Sequence, residues 1–369
     1  MEVKESKAEY QEIKENIPKY IEEKYMWEAK QLHQENMVVD AHLDLAGELL
    51  FRKLGGEKDI IKNHFLDNWK YAGLNLIVCA IFIESDLLPS MGLQNAMDQI
   101  AALYEEIDSL SDELMIVKSK ADLQQLKSTA KIGIMLYMEG LDCIGNHVSL
   151  LRALYEMGVR GASLTWSRQN LLATGSGSSR DKENPKGGLT KTGREVIRYM
   201  EEHHMFLDVS HMNDDGFYDI AACATKPFVA THSDARAVHY AHRNMPDDQM
   251  EILKNAGGIM GLNCTGSFVG VPVGATAEEC LIGLCKQVEY EVSKIGSEHV
   301  GYGFDLCDSY YLALPSFPNS HYVEEDCLRS HAQMVELTAM LLQRGMGKED
   351  VINIIGGNFY RYFMDILPE

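Results

Sequence analysis

The chain has 369 residues, enough for one large barrel or two ordinary domains, and its 46% apolar and 24% charged shares are those of a soluble globular protein. Its 34 Lys and Arg against 55 Asp and Glu give a formal charge of −21, with no dominant basic patch, which argues against a nucleic-acid partner. The eight cysteines are scattered without a CxxC pair, so they read as small buried hydrophobes in a reducing compartment and not as a disulfide framework.

The first 36 residues are rich in Glu and Lys, with apolar residues at loose helical spacing. They predict one or two surface helices packed on the main body or on a partner subunit. Their opening stretch has no apolar region of the signal-peptide kind. The longest apolar run, "LNLIVCAIFI", is too short to span a bilayer, so the expectation is a cytoplasmic protein without a membrane partner.

From residue 37 a pattern repeats. Short β-rich apolar runs occur at 37–42, 74–82, 131–140, 158–166, 205–211, 227–232, 257–263 and 298–305. Helical sequence separates most of them, as in "SLLRALYEM", "TKTGREVIRYMEE" and "CLIGLCKQVEYEVSKI". Alternating βα units imply a parallel sheet, and eight of them predict an α/β fold of the (β/α)8 TIM-type barrel class over residues 37–369, with 1–36 as an N-terminal helical extension. The segment 167–188, "SRQNLLATGSGSSRDKENPKGG", is a long Gly- and Ser-rich loop; by composition alone it reads equally as a lid or as plain surface chain, and its place after the fourth run favours a lid over the substrate.

Chemistry gathers at the strand ends. In "VVDAHLDLAG", Asp40, His42 and Asp44 share one side of an extended strand because side chains alternate. Glu139 ends the third run, His211 the fifth, His232 the sixth and Asp305 the eighth. A lone histidine in such a place is ordinarily structural. Glu139 alone could start a helix, and Asp305 alone could cap one. Taken together, however, these residues would converge on the face where barrel active sites lie. Three imidazoles with two or three carboxylates form an N/O donor set suited to zinc or a similar divalent ion. The set is too large for one tetrahedral ion, so two ions sharing a carboxylate are expected. They would hold a water or hydroxide for metal-assisted hydrolysis.

The motifs "VVDAHLD", "YMEG", "LDVSH", "FVATHSDARAVHYAHRNMPDDQM", "GGIMGLN", "VGYGFD" and "GGNFYRYF" occur in an order that resembles the membrane dipeptidase (renal dipeptidase) family of zinc peptidases. The resemblance runs from about residue 37 to 363 and implies a (β/α)8 barrel with a binuclear zinc site. By resemblance, His42 and Asp44 hold the first ion, Glu139 bridges both, and His211 and His232 hold the second. Asp305 handles the proton beside a bridging hydroxide, and Arg243 binds the substrate's terminal carboxylate with its planar fork. Asp40 would support the ligands from behind. Asn358 matches a family position, for which a packing or capping role is expected.

There is one departure. Where well-known members carry a histidine near the scissile carbonyl, this chain reads "SLTWSRQN". Trp166 takes the place; an indole donates one hydrogen bond and carries no charge. Asn170, directly or through a water, is the candidate substitute donor. The resulting expectation is a zinc-dependent dipeptidase of a bacterial, cytoplasmic type, acting on dipeptides with a free C-terminal carboxylate and tending to homodimers. The rivals are another binuclear-metal amidohydrolase, cleaving N-acyl-amino acids or lactams, and a catalytically silent metal-binding barrel.

Overall fold

A computed structural model of the chain describes residues 17–177, 185–314 and 325–369. Eight short strands supply the frame: β1 (Val39–Leu43), β2 (Leu76–Phe82), β3 (Leu114–Ile116), β4 (Ile132–Glu139), β5 (Val159–Ser163), β6 (Phe206–Asp208), β7 (Met260–Leu262) and β8 (Val300–Tyr302). Every ladder is parallel, and helices occupy the connections. β4 is central. β2 lies along its whole length, from Leu76 opposite Gly133 to Phe82 opposite Glu139. β3 and β5 share the other edge in tandem, β3 on residues 132–134 and β5 on 136–138.

The result is a mixed α/β architecture with a curled parallel sheet, drawn as a six-stranded ladder (β1 to β6) and a separate β7–β8 pair. Two seams lie between these ladders. At the first, the run expected as the sixth strand forms no strand; residues 227–232 make only two isolated parallel bridges, Asp208 with Val229 and Ala230 with Met260. The reason is local. Pro227 has no N–H to give, and the N–H groups of Thr231 and His232 go to side chains, Asp208 Oδ1 at 2.9 Å and Ser210 Oγ at 3.2 Å. At the second seam, the Asp305 N–H reaches the His42 carbonyl at 3.2 Å. β3 was not anticipated, because three residues are too few to show a period.

Alternation along the strands makes two apolar layers. Val39 and Ala41, Leu76, Val78 and Ala80, and Met135 and Tyr137 pack inside the curl. Ile77, Cys79 and Ile81, with Ile134, Leu136 and Met138, face the surrounding helices. Burial on both faces is why these strands read as unbroken apolar runs. The C-terminal helix Asn358–Ile366 closes the inner layer with Phe359 and Phe363. Gly301 makes room for it: a Cβ there would stand 2.5 Å from the Phe359 ring.

At the other end of the chain, the helix Glu23–Glu35 lies against Met334–Gln343. His33 fastens it, with Nδ1 at 2.6 Å from the Ala72 carbonyl and Nε2 at 2.9 Å from Thr338 Oγ1. The earlier part of the expected N-terminal segment, residues 1–16, lies outside the described residues, as does 178–184 of the long loop. None of the described helices is long and apolar enough to cross a membrane.

Asn358 donates its amide to the carbonyls of Ser297 (2.6 Å) and Val300 (2.7 Å), tying the closing helix to the start of β8. Asn358→Ala leaves both carbonyls without that donor in a buried place, which costs about 1–3 kcal/mol. We expect a lower denaturant midpoint, with metal content per folded molecule unchanged. An unaltered midpoint in urea unfolding would refute the role.

Candidate metal centre

Where strands end, polar side chains take over the backbone's hydrogen bonds and the chain turns its chemistry inward. His42 and Asp44 leave the end of β1, and Glu139 is the last residue of β4. His211 follows β6, His232 follows the bridged run, and Asp305 follows β8. Asp305 has a positive φ of 57°, a conformation that Asp tolerates better than most residues. All six side chains are buried.

They meet around Glu139. Its Oε1 lies 2.8 Å from His211 Nε2 and 3.4 Å from His232 Nε2, while its Oε2 lies 3.8 Å from His42 Nε2. His42 Nε2 is 4.0 Å from Asp44 Oδ1 and 3.7 Å from Asp305 Oδ1. His211 Nε2 and His232 Nε2 are 3.0 Å apart. The donors fall into overlapping groups: His42, Asp44 and Glu139; Glu139, His211 and His232; His42, His232 and Asp305. Ligands at 2.0–2.2 Å from one tetrahedral ion stand about 3.5 Å from each other, and the spacings observed bracket that edge. Both nitrogens of His42 and Oδ1 of Asp44 are buried without a hydrogen-bond partner, although such atoms are costly to leave unpaired. The donor set therefore fits divalent ions.

Electrostatics agree. Burial, then the neighbouring Asp44 and Asp305, push the Glu139 carboxyl well above the usual carboxylate range. Burial and then Asp305 do the same to Asp44. Burial holds His211 and His232 well below the ordinary imidazole range, helped by Arg243 for the first and by His42 for the second. Neutral imidazoles are the form that binds metal, and a divalent cation reverses the penalty on the carboxylates.

A support layer fixes the rings, and most of it escaped the sequence reading. His211 Nδ1 is 2.9 Å from Ser167 Oγ. His232 Nδ1 is 2.7 Å from Thr231 Oγ1, which donates onward to Asp208 Oδ2 at 2.8 Å. Asp208 also accepts from the Tyr137 hydroxyl (2.5 Å), the Ser210 hydroxyl (2.6 Å) and the N–H groups of Ser210 and Thr231. Asn263 Nδ2 holds Asp305 Oδ2 at 2.9 Å. Asp40 acts through the backbone: its Oδ1 takes the N–H of His42 and of Phe304, and its Oδ2 faces His331 Nε2 at 2.8 Å. One signal was available. Asp208 precedes Ser210 as Asp40 precedes His42, each carboxylate taking the N–H two residues ahead.

A family model described as membrane dipeptidase, peptidase family M19, matches residues 26–366. The chain belongs to that family. It is a metallo-dipeptidase by membership. Among its relatives, a Klebsiella pneumoniae protein from the pqqA 5′ region is 30% identical over 209 residues, 56% of this chain and 77% of that one. Dipeptidase verJ of Clonostachys rogersoniana is 29% identical over 277 residues, 75% of this chain and 66% of that one. The match to verJ thus spans just under two thirds of that protein's length. Among solved structures, a metallopeptidase of Rhodobacter sphaeroides liganded with a phosphinate mimic of L-Ala-D-Ala superposes with a TM-score of 0.75, at 21% identity over 90% of this chain and 99% of that one. Dipeptidase AC, of family M19, gives 0.77 at 22% identity, with the same coverage. At these identities the likeness is one of fold.

In this family member the centre opens into a cavity of about 240 Å³, walled by Asp44, Glu139, His211, Asp305, Trp166 and Phe82. The Trp166 ring lies 5.7 Å from His211 and 5.2 Å from Phe82. Arg243 is buried beside the centre, with Nη1 on Ser233 Oγ (2.8 Å), Nη2 on the His232 carbonyl (2.5 Å) and Nε without a partner. Asn170 is a correction. Its Nδ2 donates to the Leu164 carbonyl at 2.8 Å and its Oδ1 accepts from the N–H groups of Leu172 and Ala173. Its amide closes a local turn away from the centre, so it is not a substitute donor there.

Asp208→Asn sets an amide N–H against hydroxyl and backbone donors and breaks the relay to His232. We expect metal affinity to fall about 10–100-fold, as for other residues that orient a ligand. Chelator competition on the folded variant measures this, and wild-type affinity would remove Asp208 from the support layer.

Proposed function

We propose that the chain is a zinc-dependent dipeptidase, with two ions sharing Glu139, that cleaves dipeptides bearing a free C-terminal carboxylate. One observation carries the reading. Glu139 turns Oε1 to His211 and His232 and Oε2 toward His42, so one carboxylate faces both halves of the donor set. On this reading His42, Asp44, Glu139, His211 and His232 hold the metal. Such a pair of ions, when bound, polarises the peptide carbonyl and makes a water acidic enough to act as nucleophile near neutral pH.

The chain's own groups do the rest. Asp305 has Oδ2 anchored by Asn263, and its Oδ1, on the His42 side and also contacted by the Cys307 thiol at 3.1 Å, is the oxygen that takes the proton from water and returns it to the leaving amine. Arg243 keeps its unpartnered Nε–H and spare Nη hydrogens for the terminal carboxylate, and its bond to the His232 carbonyl fixes the carboxylate's distance from the centre. Trp166 lines the acyl side with an apolar face and one N–H donor. That residue favours a second reading, hydrolysis of N-acyl-amino acids, which keep the same carboxylate.

The wider reading has four further parts. The fold is read as a (β/α)8 barrel, a reading supported by the bridges at Val229 and Ala230 and the bond from Asp305 to His42 across the two seams. The N-terminal extension expected over residues 1–36 belongs with the hydrolase unit 37–369, as its helix Glu23–Glu35 against Met334–Gln343 supports. Eight unpaired cysteines suit a reducing, cytoplasmic location. The family resemblance implies a homodimer as the assembly to test.

The test is hydrolysis of L,L and L,D dipeptides, N-acyl-amino acids and C-terminally amidated dipeptides by chelator-stripped protein, before and after zinc. Zinc-dependent cleavage that disappears on amidation is expected; equal cleavage of the amides would overturn the role of Arg243. Glu139→Ala should lose turnover and paired metal binding together, read by activity and metal stoichiometry. Arg243→Lys should lower kcat/KM for free dipeptides roughly 30-fold or more, since breaking a buried charge pair costs about 2–5 kcal/mol, and should leave the residual rate on amides unchanged.

A further inference from the structure

Between Asp44 and Asp305 stands a side chain that the donor set above does not use. Cys307 Sγ lies 3.1 Å from Asp305 Oδ1 and 3.8 Å from Asp44 Oδ2, and it lines the same cavity. Asp44, Asp305 and Cys307 form a further group whose ligand atoms all lie within 4.8 Å of one another. The neighbouring atoms await something: Asp44 Oδ1 and both nitrogens of His42 are buried and without a hydrogen-bond partner. Asp44 links the two observations, because Oδ1 faces His42 Nε2 while Oδ2 faces the thiol.

We propose that Cys307 is a thiolate ligand to the ion held by His42 and Asp44, an inference that rests on the metal reading above. The bland alternative is a thiol donating weak hydrogen bonds to two carboxylates. Backbone placement favours coordination. Cys307 immediately precedes the short helix Asp308–Ala313, and the Asp308 N–H is bound by Asp326 Oδ2 at 2.8 Å, while Asp308 Oδ1 and Oδ2 take the N–H groups of Glu325 and Asp326. The thiol is thus pinned on the wall of the centre.

Coordination breaks the S–H bond, forms a metal–sulfur bond and releases one proton to solvent; no oxidation state changes. A soft thiolate favours zinc over magnesium, calcium or manganese, so Cys307 bears on which ion the centre selects. It also makes the two positions unequal, since the donors at Glu139, His211 and His232 are all nitrogen and oxygen.

The experiment loads the chelator-stripped full chain with cobalt(II) and reads three signals: bound cobalt by equilibrium dialysis, visible d–d bands, and the near-ultraviolet thiolate-to-cobalt charge-transfer band. The charge-transfer band should appear in the wild type, be lost in Cys307→Ser and persist in Cys280→Ser. Zinc affinity should fall at least tenfold in Cys307→Ser. Should that variant fold poorly, alkylation of the wild type followed by peptide mass mapping decides the matter, because zinc should protect Cys307. Bound cobalt with d–d bands but no charge-transfer band, or alkylation of Cys307 unaffected by zinc, overturns the Cys307 assignment and leaves the metal reading intact. No bound cobalt or zinc at all overturns the metal reading, and this inference with it.

Discussion

Two buried carboxylates hold this architecture together at its seams. The ladders break between β6 and β7 and between β8 and β1, and at each break an aspartate takes backbone N–H groups from both sides. Asp208 accepts from Ser210 and Thr231 across the first. Asp40 accepts from His42 and Phe304 across the second. Charged acceptors make strong hydrogen bonds, so a single carboxylate replaces several ladder bonds. These fastenings lie directly behind the metal donors. Asp208 reaches His232 through Thr231, and Asp40 fixes the backbone from which the His42 ring projects. Bonding across the seams and ligand placement thus depend on the same two side chains.

That constraint explains why so much charge can be buried in so small a volume. Glu139, Asp44 and Asp305 crowd around His42, and burial drives the first two toward their neutral forms. The nearby cation Arg243 is itself penalised by burial. A metal-free assembly of this kind is electrostatically expensive, and rigid seams keep it from relaxing. Divalent cations held by these donors would convert the same crowding into attraction. Fixed donors, and not flexible ones, are what make such a centre selective.

Sequence reasoning reached the parallel frame and the six convergent side chains because both follow from period and position. Strand burial on two faces writes itself as apolar runs, and "DAHLD", "YMEG" and "VSH" stand at their ends. It missed what depends on partners distant in sequence. Ser167 faces His211 across 44 residues and Asn263 faces Asp305 across 42, and neither shows a local pattern. It overextended 227–232, where an apolar run was taken for a full strand although side chains had captured its N–H groups. It misplaced Asn170, since a short polar residue in a loop serves a distant site or its own turn with the same one-letter code, and here the turn won.

The aromatic wall is where this chain departs from the pattern it resembles. Trp166 is backed by the Arg168 guanidinium at 5.4 Å, which also lies 5.5 Å from the Phe82 ring. Arg168 is fixed by Asp142 at 3.1 Å and by the Ile83 carbonyl at 2.9 Å. An indole placed this way offers dispersion and one N–H where an imidazole would offer a proton. With the metal donors on one side and this wall on the other, about 240 Å³ remains. The donors and the aromatic wall thus face each other across one cavity, with Arg168 holding the wall from behind.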